Sequence, residues 1–326
     1  MITIIVPVYN SRYKINNLIN SLINQSDKKF EVIFIDDNSK DDSITHINNK
    51  LSKSNVTYSI LENDNNLGPG PTRNKGLKYA SNKHITFVDS DDYIDLDFVK
   101  ILNFEIQKSD FDILFFDYYR KNKKSVIKFS SVSKGAMYNN KNHYRLNSNL
   151  STCCKLYRKD FLVKNNLLFP SFLRGEDTVF ALNAINRANK IMHIDKPLYT
   201  YDITDDSITM SPGTELNNYQ LEKRFMEIEK IDDEKVTNIL FYRMILLPLV
   251  NRMILEKSTT KDIRRKVQYY LSKYDIKLSF KNIRIKKEHK IIFKLIKNKM
   301  IYIYTLYFKI KEMLKKIIWK SWWNWN

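Results

Sequence analysis

Long apolar runs that stop abruptly at polar residues dominate the first third of the chain. Residues 2–8 form a continuous, largely β-branched run, the composition of a parallel strand buried on both faces. Ile15, Leu18, Ile19, Leu22 and Ile23 then recur at helical spacing and predict one core-facing helix. Residues 30–35 predict a second buried strand, closed by Asp36-Asp37-Asn38-Ser39. Ser39 with Asp42 three residues on has the spacing of a capping box, and Ile44, Ile47 and Leu51 carry the next helix. Residues 56–61 read as a third strand, 65–71 as a Gly- and Pro-rich loop, 72–80 as a helix and 84–88 as a fourth strand. Strand and helix alternating through short connections predict an α/β fold with a doubly wound, mainly parallel sheet.

Further along, residues 96–107 predict a helix and 111–116 a strand, while 118–150 show no clean period. Residues 155–157, 190–194 and 198–201 read as short strands, and a helix follows Gly175-Glu176-Asp177-Thr178 to about residue 186. From Glu215 onwards the pattern is helical, which puts a domain boundary near Pro212-Gly213. No run of about 18 apolar residues occurs, so no segment is expected to span a bilayer. Residues 1–9 are apolar but lack the basic start and the length of a secretory signal.

Charge changes this picture mainly at the C-terminal end. The net charge is +19, and residues 281–326 hold thirteen Lys or Arg against two Glu. Ile310, Met313, Leu314 and Ile317 fall at helical spacing opposite Lys311, Lys315, Lys316 and Lys320, and Trp319, Trp322, Trp323 and Trp325 close the chain. A basic face, an apolar face and terminal tryptophans suit an interfacial helix on anionic lipid; a bundle helix with solvated lysines is the other reading, and nucleic acid is not the expected partner. Cys153 and Cys154 are adjacent, a poor geometry for a disulfide, so reduced thiols in a cytoplasmic protein are expected.

The chemistry gathers where strands end. Phe87-Val88 runs straight into Asp89-Ser90-Asp91-Asp92, three carboxylates that would be costly inside a strand. The strand therefore stops there and opens on a cleft, as ligand sites do in open α/β sheets. Asp89 and Asp91, one residue apart, can hold one hard divalent cation; a solvated acidic turn or a helix cap is the bland alternative. Asn10, Asp36-Asp37 and the polar run 63–66 end the other three strands and share that edge. Dinucleotide and P-loop glycine fingerprints are absent: Gly68-Pro69-Gly70 is followed by Arg73 at the third glycine position. His46, His84, His143, His193 and His289 fall in no metal-ligand spacing.

Seven short motifs then occur in order: Ile5-Val6-Pro7-Val8-Tyr9-Asn10, Ile35-Asp36-Asp37-Asn38-Ser39, Asn66-Leu67-Gly68 with Arg73-Asn74-Lys75-Gly76, and Phe87 through Asp92. They continue as Lys155-Leu156-Tyr157, Gly175 through Phe180, and Pro197-Leu198-Tyr199 leading to Ser207-Ile208-Thr209. Over roughly the first 210 residues the chain resembles the family 2 glycosyltransferases of the GT-A fold, of the kind that build bacterial capsules and lipooligosaccharides. The resemblance implies a GT-A catalytic domain over 1–212, with a nucleotide-sugar-binding half at 1–117 and an acceptor half at 118–212, followed by a helical, basic extension at 213–326.

It also implies roles. Pro7, Tyr9 and Asn10 would shape and stack on the nucleobase, and Asp37 would accept the N3–H of uracil. Gly68 belongs to the same wall. Arg73 would reach a phosphate or ribose oxygen, and Asp89 would lie near the ribose and the metal. Asp91 would ligate Mn²⁺ or Mg²⁺, Asp92 would cap the next helix, Asp177 would be the base and Glu176 would serve the acceptor. A single displacement with one base inverts the anomeric carbon. The implied activity is transfer from a nucleotide sugar, a UDP-sugar, to a hydroxyl of a surface glycan, lipid-linked glycans included, at the inner face of the cell membrane. A non-catalytic nucleotide-sugar-binding scaffold of the same fold is the alternative. Two positions depart from the pattern. Tyr201-Asp202 replaces an aromatic followed by Arg, and Cys153-Cys154 stands before Lys155 where relatives often carry Trp and Asn. Lys155 is read as a solvated lysine, with contact to a phosphate or the acceptor as the alternative.

Overall fold

The computed structural model describes residues 1–123, 125–132, 141, 144, 145, 148–171, 175–203, 218–276, 291, 294, 295, 300 and 302–308. They divide into two compact units, Met1–Gln220 and Leu221–Asn326. The expected boundary at Pro212-Gly213, the motif Ser207-Ile208-Thr209 and the tryptophan-rich terminus lie outside the described residues.

The first unit begins as the apolar pattern dictates. The first half comprises β1 (Ile2–Val8), α1 (Asn16–Ile23), β2 (Phe30–Asp36), α2 (Ser43–Leu51), β3 (Thr57–Glu62), α3 (Pro69–Tyr79) and β4 (His84–Phe87). After it come β5 (Tyr93–Ile94), α4 (Phe98–Lys108), β6 (Ile113–Lys121), β7 (Val126–Phe129), β8 (Lys155–Arg158), α5 (Lys159–Lys164), α6 (Glu176–Arg187) and β9 (Ile191–Asp202). The sheet runs in the order β3-β2-β1-β4-β8-β6-β9-β5, with β7 paired to β6. Its first four strands are parallel, and β8 then enters antiparallel to both β4 and β6. A doubly wound parallel half thus passes into a mixed half.

Both faces of the sheet are covered, which is why β1 is apolar except for Thr3. Ile4, Val6 and Val8 pack with Leu18, Ile19 and Leu22 of α1, Ile47 of α2 and Phe98 of α4. On the opposite face Ile5, Ile33, Ile35 and Phe87 pack with Leu77 of α3 and with Phe161, Phe180 and Ile185 of α5 and α6. Gly76 lets α3 lie this close. A Cβ there would stand 2.5 Å from Ile5 Cγ2 and 2.8 Å from Ile35 Cδ1, inside any ordinary contact.

Several local expectations are corrected. The helix foreseen from residue 72 starts at Pro69, because a proline at the first helical position loses no hydrogen bond. The capping box does not form: Ser39 Oγ accepts the Asn10 amide, and α2 starts at Ser43 without a side-chain cap. The two short strands expected at 190–194 and 198–201 are one strand, β9. Register shifts on either side of Asp117 absorb Pro197, which cannot donate to a ladder.

The second unit is helical: α7 (Asn218–Ile228), α8 (Glu234–Phe241), a π-helical turn (Tyr242–Leu246), α9 (Leu247–Leu255) and α10 (Thr260–Lys273). Pro248 removes a donor from this stretch, and Arg224 Nη1 donates to the Met244 carbonyl at 3.1 Å. Val236–Leu255 is long and apolar enough to cross a membrane by length and composition, with mean hydropathy 1.4. Asn238, Arg243, Asn251 and Arg252 interrupt the run in sequence, and 61% of the window is buried in protein, as in a core helix.

Candidate active site

Parallel pairing puts the carboxyl ends of β1, β2, β3 and β4 on one edge, and short hydrogen bonds lock the loops there together. The Asp37 amide donates to Val8 O at 2.8 Å, Asn63 to Asp36 O at 2.8 Å and Val88 to Ile5 O at 3.0 Å. Ser11 Oγ lies 2.8 Å from Ser90 Oγ, so the loop after β1 touches the turn after β4. Half-buried Pro7 ends the apolar run of β1, and Tyr9 stands 47% exposed at the opening. Asn10 adopts φ 45°, a left-handed conformation that asparagine tolerates, and its Oδ1 accepts the Lys40 amide at 2.8 Å.

Asp37 is buried and closes the loop between β3 and α3. Its oxygens accept from Leu67 N and Gly68 N at 2.8 Å and from Asn63 Nδ2 at 2.9 Å, three of about four acceptor positions. Asn63 also donates to Thr72 Oγ1 at 3.0 Å, so a side chain that sequence reasoning had left in a polar run fixes the start of α3. Gly68 sits at φ 84°, open to glycine and strained for other residues. Gly70 must also be small, since a Cβ would meet Pro170 O at 2.5 Å and Glu176 Cγ at 3.3 Å.

The centre of the arrangement is Arg73. It is buried, with Nη1 donating to Glu176 Oε1 at 2.9 Å and Nη2 to Asp89 Oδ1 at 2.7 Å. Its guanidinium lies 5.5 Å from the ring of Phe169, which stacks on Phe180 of α6 at 3.8 Å. Burial works against the Arg73 charge, but Asp89 and Glu176 outweigh it and hold the proton more tightly than usual. Burial and the charge of Asp177 push Glu176 up to about 7, against the pull of Arg73. Residues 89 and 176, far apart in sequence, are thereby fastened to one side chain.

Asp177 sits half-buried in the first turn of α6, after Gly175 in the left-handed region at φ 77°, and its Oδ1 accepts the Thr178 amide at 2.7 Å. A carboxylate in a first turn is favoured by the helix dipole. Asp92 does not cap a helix, contrary to expectation; α4 starts at Phe98 behind Asp97. Instead Asp92 is buried, accepts from the Tyr199 hydroxyl and from Asp202 N at 3.0 Å, and is raised by burial and by Asp89 and Asp91. The Tyr199 hydroxyl also accepts the Asp89 amide at 3.3 Å. Cys153 and Cys154 are free, as expected, and both are buried; Cys153 Sγ donates to Asp89 Oδ2 at 3.5 Å. Lys155 is not solvated but fully buried.

The carboxylates fit a hard cation. Burial and the nearby Asp89 charge raise Asp91 to about 6, an anionic crowding that a cation would relieve. Asp89 and Asp91, with one residue between them, would offer oxygen ligands to a hard cation such as Mn²⁺ or Mg²⁺. Among the described residues no group of three His, Cys, Asp or Glu side chains forms an all-protein cage.

With this geometry in place, similarity to known proteins becomes informative. The model of the family Glycosyl transferase family 2 matches residues 3–164. A poly(ribitol-phosphate) beta-N-acetylglucosaminyltransferase, TarS of Staphylococcus aureus, is 31% identical over 242 residues, covering 72% of this chain and 40% of that protein. A poly(ribitol-phosphate) beta-glucosyltransferase of Bacillus spizizenii is 32% identical over 217 residues, covering 64% of this chain and 33% of that protein. The chain thus spans well under half the length of these relatives. The crystal structure of S. aureus TarS 1-349 in complex with UDP-GlcNAc superposes with a TM-score of 0.72 at 23% identity, covering 96% of this chain and 91% of that one. The fold is therefore GT-A. Through the domain that starts at β1 and ends in α5, the chain belongs to glycosyl transferase family 2.

Proposed function

We propose that the chain is an inverting, divalent-cation-dependent glycosyltransferase that moves a sugar from a UDP-sugar to a hydroxyl of a bacterial surface glycan. The observation that carries this reading is the Asp89–Arg73–Glu176 bridge, which fastens the carboxylate turn after β4 to the helix start bearing Asp177. The first half of the unit, residues 1–117, holds the donor and residues 118–212 face the acceptor. The relatives' poly(ribitol-phosphate) acceptors support a surface polymer as the acceptor class.

Pro7, Tyr9, Asn10 and Asp37 form the base side, with Gly68 in the loop that Asp37 holds. Asp89 and Asp91 would hold a divalent cation, and such a cation would supply neutralisation of the charge on the leaving phosphate. Arg73 keeps Asp89 turned to its task and carries positive charge beneath the site. Asp177 takes the proton of the acceptor hydroxyl as it attacks the anomeric carbon from the face opposite the leaving diphosphate. Attack from that face with a single base inverts the centre. Glu176, held by Arg73, orients the first turn of α6.

Release of UDP from a panel of UDP-sugars with Mn²⁺ tests this. Asp91→Ala is expected to lose about 10²-fold or more of the Mn²⁺-dependent rate, with thermal unfolding little changed. An Asp91→Ala rate equal to wild type would sink the cation assignment, and pyrophosphate in place of UDP would mean a nucleotidyltransferase.

The basic C-terminal segment docks the enzyme at the cytoplasmic face of an anionic membrane, where a lipid-linked acceptor is presented. Tyr302, Ile303, Leu306 and Tyr307, at helical spacing, are 39–65% exposed next to the lysine-rich terminus. Sedimentation with phosphatidylglycerol vesicles is expected at low salt, to weaken at high salt and to vanish when residues 290–326 are deleted. Equal sedimentation of the deletion variant would refute the docking.

A further inference from the structure

Lys155 opens β8 and has no solvent exposure. An ammonium taken out of water costs several kcal/mol unless its protons find acceptors. Its Nζ donates to the carbonyl of Asn149 at 2.7 Å and to that of Ser151, with the ring of Phe115 4.7 Å away. Both carbonyls belong to the segment that leads into β8. That segment is tied again by Tyr201 OH, which donates to Ser151 Oγ at 2.7 Å, and by Asn149 N, which donates to Ser131 O at 2.8 Å. Ser131 N in turn donates to buried Asp117 at 2.9 Å. At its far end the segment meets the site, where Cys153 Sγ donates to Asp89.

The carboxylate whose charge acts on Lys155 through space is Asp177. A methionine would fill the same volume. It could neither hold two carbonyls nor oppose the charge of Asp177.

We propose that Lys155 is a positioning residue of the transfer reaction, fixing residues 149–151 as a wall of the acceptor side and setting the field in which Asp177 works. This inference rests on Asp177 being the base. Burial lowers Lys155 to about 8, a fall that the charge of Asp177 opposes. The ammonium is therefore charged below pH about 8 and lost as pH rises through it. The other titratable groups nearby are Tyr157, two residues on along β8, and Tyr201, whose hydroxyl donates to the Ser151 that Lys155 holds. Cys153, Cys154, Tyr157 and Tyr201 are all pushed up by burial and stay neutral across that range.

The test compares full-length wild type, Lys155→Met, Lys155→Arg and Tyr201→Phe, reading UDP release from UDP-N-acetylglucosamine with and without poly(ribitol phosphate). In wild type, transfer should decline above pH about 8, and in Lys155→Arg that limb should move up by about one pH unit or more, because a guanidinium does not titrate there. Lys155→Met should transfer about 10–100-fold more slowly with the donor KM within about twofold of wild type. Tyr201→Phe, which keeps the core intact, should raise the acceptor KM severalfold. An unchanged alkaline limb in Lys155→Arg, or a wild-type transfer rate in Lys155→Met, overturns the inference while the enzyme assignment stands. Should the Lys155 variants fail to fold, an unchanged acceptor KM in Tyr201→Phe overturns it. A wild type that releases no UDP from any UDP-sugar overturns the enzyme assignment itself, and this inference with it.

Discussion

Asp177→Asn is expected to lower transfer by about 10²–10⁴-fold, the usual contribution of a positioned general base. The substitution is nearly isosteric, and the amide oxygen can still accept the Thr178 amide that Oδ1 now takes at 2.7 Å. The start of α6 should therefore survive, at the loss of a favourable first-turn charge of under about 1 kcal/mol. What asparagine cannot do is take a proton. Donor binding, read by UDP titration, should stay close to wild type while product formation collapses. An Asp177→Asn enzyme turning over at the wild-type rate would move the base elsewhere.

Arg73→Met should produce the largest stability loss. Arg73 and Glu176 have side chains only 6% and 7% exposed, and Asp89 is 31% exposed. Removing the guanidinium leaves Glu176 as a buried carboxylate without its cation, a change that costs about 3–5 kcal/mol when one partner of a buried pair is deleted. The loss should depend on pH. Glu176 is already held at about 7 with Arg73 present, so without it the carboxyl moves higher still. A carboxyl whose folded-state value exceeds its unfolded one favours folding when protonated, and that advantage disappears as pH rises through the folded value. Urea unfolding of Arg73→Met should therefore show a smaller deficit at pH about 5 than at pH about 8. A pH-independent loss below about 1 kcal/mol would mark the bridge as no stronger than a surface pair.

The parallel half of the sheet was legible because each of its strands is an apolar run cut off by a polar residue. The same rule located Asp37, Asp89 and Asp91 at one edge. The mixed half was harder. β5 is two residues long, and β9 carries Pro197 and a shifted register against Asp117, so its period breaks where its pairing continues. Side-chain destinations were the least legible feature. Lysine is ordinarily solvated, and nothing local to Lys155 marks it as buried among the carbonyls of Asn149 and Ser151. The partner of Asp92 lies on Tyr199, and the contact of Arg73 with Glu176 spans a similar stretch of chain. Periodicity carries no information about such distant pairs. Ser39 and Asp42 failed as a capping box because other groups claim them: Ser39 accepts from Asn10 and Asp42 from Arg12.

The Tyr199 hydroxyl, donating to Asp92 while accepting the Asp89 amide, bears on how the enzyme is made. A nascent chain that has left the ribosome only as far as α6 already owns every strand of the parallel half. Its acidic turn still lacks the clasp supplied by β9, the last of the described strands to emerge. Synthesis therefore supplies the strands of the parallel half first and the Tyr199 clasp on the acidic turn only afterwards.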